Sequence, residues 1–215
     1  MAEHAILGYS DDGRYFAFEQ FGIQDGSGFA YSEIFIIDLI HDRWVSGGPI
    51  RVTLEEEGAG LRRVRQEARE RAHSRLARYN IGAPFRLLAA TTPMEASAQE
   101  EVMAFYPRPI LRPIDPVHKL RLTRVPLDSP QDCFWMDDTA GFALTMQVEG
   151  AAERQVYRDE VLPRSRFCPT RYGISQIVMP FDGAPGRAVA LISVYQLGFE
   201  GLDRRFLAVP FDMSF

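Results

Sequence analysis

The residue types able to bind or react gather in a few short stretches. Asp11, Asp12 and Asp25, with Glu19 between them, could offer oxygen ligands to calcium, which takes several carboxylate and carbonyl donors. Their spacing is not that of an EF-hand loop, and a solvated turn and loop account for the same residues. "GYSDD" at residues 8–12 is the nearest approach to a nucleophile elbow. It is not GxSxG, and a serine beside acidic turn residues ordinarily bonds turn backbone, so Ser10 is read as a turn residue. The glycine-rich "QDGSGF" at residues 24–29 is followed by no phosphate-loop lysine, which leaves Asp25 and Ser27 a claim to ligand contact in general. Asp137 and Asp138, beside Trp135, have the residue types of a sugar-cleaving pair, but neighbours in a strand face opposite ways and a turn before Gly141 explains them better. His4, His41, His73 and His118 lie far apart and form no helical ligand pair.

"LPRSRFCPTRYGI" at residues 162–174 places Arg164, Arg166 and Arg171 around Cys168 and two prolines. Such a segment reads as a loop, and loops with charged and aromatic side chains often bind. A carboxylate- or glycan-bearing ligand suits these arginines. The competing reading is that they pair with acidic groups and brace the loop. Cys133 and Cys168 have 34 residues between them and belong to no CxxC pair, so thiol redox chemistry and a zinc site are poorly supported. They are either one disulfide or two buried thiols.

These residues must be positioned by a chain of 215 residues whose 46% hydrophobic content supplies the core of one domain, expected over residues 1–215. A net charge of −5 argues against nucleic acid as a partner, and no apolar run reaches the roughly 18–20 residues of a membrane helix. "MAEHAILGYS" has no signal-peptide pattern, which fits a cytoplasmic protein or the mature form of an exported one. Oligomeric state and ligand are left open by composition, and no cofactor is expected beyond the calcium option.

Residues 5–45 predict a three-stranded antiparallel meander, with a polar turn at "SDDG" and a flexible loop at "QDGSG". Leu61, Val64, Ala68, Ala72, Leu76 and Tyr79 recur at three- and four-residue steps and predict an amphipathic helix over about residues 60–79. Acidic residues 55–57 before it and arginines at its end suit the helix dipole, and Asn80 with Gly82 supplies the stop. Residues 86–90 read as a short strand, residues 94–103 as a helical turn or loop, and the four prolines of "FYPRPILRPIDP" as extended chain. Strands follow at residues 119–125, 142–148 and 154–158, then in "ISQIVMPF", "AVALISVYQLGF" and "RRFLAVPF". The fold class is therefore α+β, predominantly antiparallel β with one long amphipathic helix. "GLDRRFLAVPFD" echoes "SDDGRYFAFEQF", which keeps an incomplete or small propeller-like arrangement as the alternative and predicts strands at residues 14–18 and 204–209.

Together, "SDDGRYFAFEQFGIQDGSGFAYSEIFIIDLIHDRWV", "LPRSRFCPTRYGI" and "GFEGLDRRFLAV" resemble the bacterial family of predicted secreted proteins known as domain of unknown function 2259. The first of them alone is also similar to blades of TolB-type propellers. The family resemblance implies an exported protein, periplasmic or secreted, and favours a Cys133–Cys168 disulfide. It implies no catalytic residues. The function expected is a non-enzymatic binding or interaction module of the cell envelope, contacting a protein or envelope component. A small hydrolase, metal-dependent in one version, is the alternative, and it requires convergence among Asp11, Asp12, Asp25, His41, Asp137 and Asp138.

Overall fold

The computed structural model describes residues 1–56, 58–91, 101–108, 110, 114–128, 133, 139–182, 187–199 and 201–213. In chain order the elements are β1 (Glu3–Ser10), β2 (Tyr15–Ile23), β3 (Ala30–Asp38), β4 (Arg43–Trp44), β5 (Ile50–Leu54), α1 (Leu61–Arg78), β6 (Ile81–Ala83), β7 (Phe85–Ala90), β8 (Val102–Phe105), β9 (His118–Val125), β10 (Gly141–Val148), β11 (Arg154–Arg158), β12 (Pro169–Pro180), β13 (Ala188–Leu197) and β14 (Leu202–Phe211). They form three antiparallel sheets: β4-β3-β2-β1-β6 with β5 also beside β3, then β14-β13-β12-β7, then β11-β10-β9-β8. The α+β class stands, and no sheet closes into a barrel among the described residues.

Burial on alternate strand positions stacks these sheets in order. Phe16, Phe18, Phe35 and Ile37 of the first sheet pack on Val189, Leu191, Phe206 and Ala208 of the second. The intervening positions of β13, Ala188, Ala190 and Ile192, turn to the third sheet and meet Leu120, Leu122, Phe142 and Leu144. Both faces of β13 are thus covered, which is why "AVALIS" has no polar alternation. No core cluster joins the first sheet to the third among the described residues, so the stack is open. Strands β6 and β7 are separated only by Pro84 yet belong to different sheets, so one residue carries the chain across the stack.

Helix α1 covers the outer face of the first sheet, burying Val64, Ala68 and Ala72 against Ala30, Ile34, Ile50 and Val52. The expected apolar stripe is correct, and Asn80, at φ 50°, ends the helix in the left-handed region. The acids lie ahead of the helix, as read from sequence: the first turn itself holds none, and Glu56, before the N-cap Gly60, pairs with Arg63. Beneath the helix Glu19 is fully buried and takes Arg65 Nε at 3.0 Å, Arg69 Nη2 at 2.8 Å and the Ser32 hydroxyl at 2.9 Å. Burial pushes the Glu19 carboxyl up, but these three donors outweigh it and hold the group below its ordinary range.

Both echoed segments are strands, β2 beginning at Tyr15 and β14 at Leu202. They do not pair with each other as neighbouring strands. They face one another across the first core, and the Phe206 N–H donates to Gln20 Oε1 at 2.8 Å. Met103 belongs to β8 rather than to a helical turn, while residues 92–100 lie outside the described residues. Neither β4 nor β5 was anticipated as part of the meander sheet.

Candidate functional site

Where the second sheet ceases to cover the first, a cleft of about 1300 Å³ opens. Its floor is the inner face of β2 and β3, with Tyr31, Glu33, Phe35 and Ile37 at every second position of β3. One wall is the free end of the β13–β14 hairpin, including Gln196 and Arg205. The others are β4 with Asp42, Arg43 and Trp44, and the segment 163–168, whose Arg164–Arg166 form a single 3-10 turn.

Hydrogen bonds fix the floor. Glu33 accepts from Gln20 Nε2 at 2.5 Å and from Arg51 Nε at 2.7 Å, and Gln20 turns its oxygen to the Phe206 N–H. This chain ties β5, β3, β2 and β14 together across the cleft. Tyr31 lies under Arg205, whose guanidinium carbon is 4.2 Å from the ring centroid, and burial pushes its phenol up to about 12. At the far end, Asp38 accepts from Arg14 at 2.8 Å, from the Ile40 N–H at 3.1 Å and meets His41 Nδ1 at 3.0 Å. Burial alone would raise the Asp38 carboxyl, but these donors hold it well below the usual carboxylate range. The turn that presents residues 42–44 is thereby anchored, with Asp42 itself at φ 46°. Asp42 is solvent-accessible but enclosed by the cleft, and that enclosure raises its pKa, an effect the nearby Arg166 charge only partly offsets.

The segment 163–168 is held from behind. Cys133 and Cys168 form a disulfide. Arg166, its side chain only 10% exposed, forks onto Asp159 at 2.5 and 2.8 Å and donates to the Tyr157 hydroxyl at 2.9 Å. Asp159 in turn accepts from the Phe142 N–H at 2.9 Å and from Tyr157 at 2.6 Å. Burial would weaken the Arg166 charge, yet the Asp159 carboxylate more than restores it. Phe167, caught between this fork and the disulfide, adopts φ 54°, ψ −130°, a conformation a phenylalanine accepts only under constraint, and the residue is 68% exposed.

Among the residues singled out from sequence, Arg164 and Arg166 line this cleft and Asp25, Ser27 and Arg171 do not. Arg166 is committed to bracing. Arg164 has an exposed side chain with no hydrogen-bond or ion-pair partner among the described residues. Arg171 lies across the β12–β13 ladder from Tyr195 and stacks on its ring at 4.2 Å. Ser27 bonds Gln24 Oε1 at 2.8 Å, and Asp25 packs so tightly on Gly198 that a Cβ there would come within 2.5 Å of its Oδ2. Ser10 bonds Asp12 at 2.6 Å and accepts the Tyr15 N–H at 2.8 Å, the turn role expected of it.

The residues proposed for calcium or hydrolysis are kept apart by the ladder. Asp11 and Asp12 precede β2 and Asp25 follows it, so its nine residues, about 30 Å of strand, lie between them. Glu19 points to the opposite face, under α1. Asp137 and Asp138 lie outside the described residues. Among the described residues no three His, Cys, Asp or Glu side chains are grouped to hold a metal ion. A second groove of about 900 Å³ runs along α1, but its Arg65 and Arg69 are already spent on Glu19. The cleft residues that sequence reasoning missed are Asp42, Arg43, Trp44 and Arg51. A charged Glu33 on an otherwise apolar strand face was the available signal.

The class is thus a β-rich α+β protein: a stack of antiparallel sheets with one helix and a disulfide-braced, arginine- and aromatic-lined cleft. The chain belongs to the family described as predicted secreted protein (DUF2259), whose model matches residues 17–211. Neither the curated proteins nor the solved structures contain a significant match to it. No helix among the described residues is long and apolar enough to cross a membrane.

Proposed function

We propose that this protein is a non-enzymatic binding domain of the bacterial cell envelope that holds its ligand in the cleft between the first sheet and the disulfide-tethered segment. The observation that carries the reading is the pairing, within one cleft, of unpartnered guanidinium groups with exposed aromatic rings on an immobilised frame. A disulfide and the predicted secretion of the family support an oxidising compartment, the periplasm in our reading. The test is retention of the purified protein on cell-wall and outer-membrane fractions, with Ser165→Trp as the variant. Ser165 is exposed and lines the cleft, so the indole fills the site without disturbing the core. Wild type should be retained and the variant released; equal retention of both overturns the reading.

A hydrolase is the second reading, and Asp42 is the observation that favours it, as a carboxyl of raised pKa inside the cleft. It predicts turnover of a bound envelope polymer that Asp42→Asn abolishes. Binding without turnover leaves the first reading.

A further inference from the structure

Resting on the cleft-binding reading, we infer that the ligand is a carboxylated polysaccharide, its sugar faces on Trp44 and Phe167 and its carboxylates on Arg43 and Arg164. Each of two walls carries the same pair of groups. On one wall β4 contributes Trp44, 41% exposed and on the Phe35 face, with Arg43 at the preceding position of the lining; on the other the 3-10 segment contributes Arg164 and the neighbouring Phe167, which is 68% exposed. The side chains of Arg43 and Arg164 have no partner among the described residues, whereas the other cleft arginines are engaged: Arg51 by Glu33, Arg166 by Asp159 and Arg205 by Asp203. Five arginines line the cleft against Glu33 and Asp42 within it and Asp159 and Asp203 behind it, a small positive excess carried by Arg43 and Arg164 on a chain whose net charge is −5. That local excess favours an anion in the cleft.

The aromatic rings are platforms rather than loose side chains. Trp44 is backed by Phe35 at 5.8 Å between centroids and by the Arg51 guanidinium at 5.9 Å. Phe167 projects from a backbone held between the disulfide and the Arg166–Asp159 fork. Between the walls, Gln24, Gln196 and Thr53 offer paired donors and acceptors suited to hydroxyls. At about 1300 Å³ the cleft has room for an oligomer rather than a single small anion.

An acidic peptide offers the same charge, but the backbone here gives it little to pair with among the described residues. The floor strand β3 is bonded on both sides, to β2 and to β4 and β5. Among the described residues β4, β5 and β11 are short edges of two to five residues at the cleft; the longest is β14, and alternation puts Arg204, Phe206, Ala208 and Pro210 on its free side. The Arg204 carbonyl is taken by the Ala2 N–H at 3.0 Å, the Phe206 N–H by Gln20, and Pro210 has no N–H. Strand addition along this longest edge, the kind that gives extended peptides their affinity, is therefore obstructed, and the short edges of β4, β5 and β11 leave recognition mainly to side chains and ring faces.

The experiment is titration calorimetry of the disulfide-intact protein with galacturonate and mannuronate oligomers, neutral chito-oligosaccharides of equal length and poly-glutamate. The expected result is that a uronate oligomer binds at least tenfold more tightly than either comparator. Arg43→Ala/Arg164→Ala and Trp44→Ala/Phe167→Ala should each weaken it at least tenfold, with the far-UV circular dichroism and melting of wild type. Tighter binding of poly-glutamate, or uronate binding that survives loss of both rings, overturns the inference and makes the cleft a peptide or simple anion site. Failure of both uronates to bind also overturns it. Release of the Ser165→Trp variant from envelope fractions would in either case leave the cleft-binding reading standing.

Discussion

Replacing both Arg65 and Arg69 by methionine should destabilise the protein severely, because the structure distributes solvent unequally within this triad. Glu19 is 0% exposed, whereas the side chains of Arg65 and Arg69 are 28% and 50% exposed. Removing the carboxylate would leave two guanidinium groups able to reach water. Removing the guanidinium groups instead strands an anion with only the Ser32 hydroxyl. Methionine keeps an unbranched apolar stem but also removes the Arg65 guanidinium that lies 3.6 Å from the Phe21 ring centroid, so the pH dependence of the loss is what isolates the stranded anion. Stranding a buried charge costs about 3–5 kcal/mol, and for a chain of this size that lowers the melting temperature by roughly 6–20 °C. The effect must also depend on pH. In the wild type the depressed Glu19 carboxyl contributes stability that is present above its unfolded value of 4.5 and lost as pH falls through the folded value. In the double variant, desolvation is no longer opposed and the carboxyl titrates above its unfolded value, so protonation relieves the penalty. Urea unfolding at pH 7 and pH 4, followed by circular dichroism, should show the gap between the two proteins narrowing at the lower pH. A gap below about 1 kcal/mol at pH 7, or one that does not change with pH, would refute the reasoning.

Two further outcomes follow from the frame behind the cleft. Reducing Cys133–Cys168, or changing both residues to serine, should cost about 3–4 kcal/mol by the loop-closure estimate for this separation, read as a lower urea midpoint; an unchanged midpoint would contradict it. Asp159→Ala leaves Arg166 buried without its fork and should cost about 3–5 kcal/mol while exposing the bonds after Arg164 and Arg166 to trypsin, with resistance equal to wild type as the contrary result.

The elements were legible where one periodicity persisted over enough residues. Val64, Ala68 and Ala72 marked the helix within one residue at each end of its observed span, and "AVALIS" marked a strand whatever its surroundings. Sheet membership was not legible. A strand's alternation says that two faces differ, not which other strand each face will meet, so the echo between β2 and β14 could not reveal that they oppose each other in separate sheets. The site was half visible for the same reason. "LPRSRFCP" drew notice to Arg164 and Arg166, but only Asp159, folded back from β11, decides that Arg166 braces while Arg164 is left for a ligand. Arg43 and Trp44 read as an ordinary turn because their importance comes from facing segment 163–168, more than a hundred residues away.

The crossing at Pro84 also sets an order of events during synthesis. The first sheet and its helix are complete once β6 has been made, but the partners of Phe35, namely Leu191 and Phe206, come more than 150 residues later. At usual elongation rates an aromatic sheet face waits on the order of 10–30 seconds for its cover. A nascent chain of this protein therefore passes through a long interval in which it must be shielded by a chaperone or held unfolded, and a chain cut short before β13 would leave that face permanently bare.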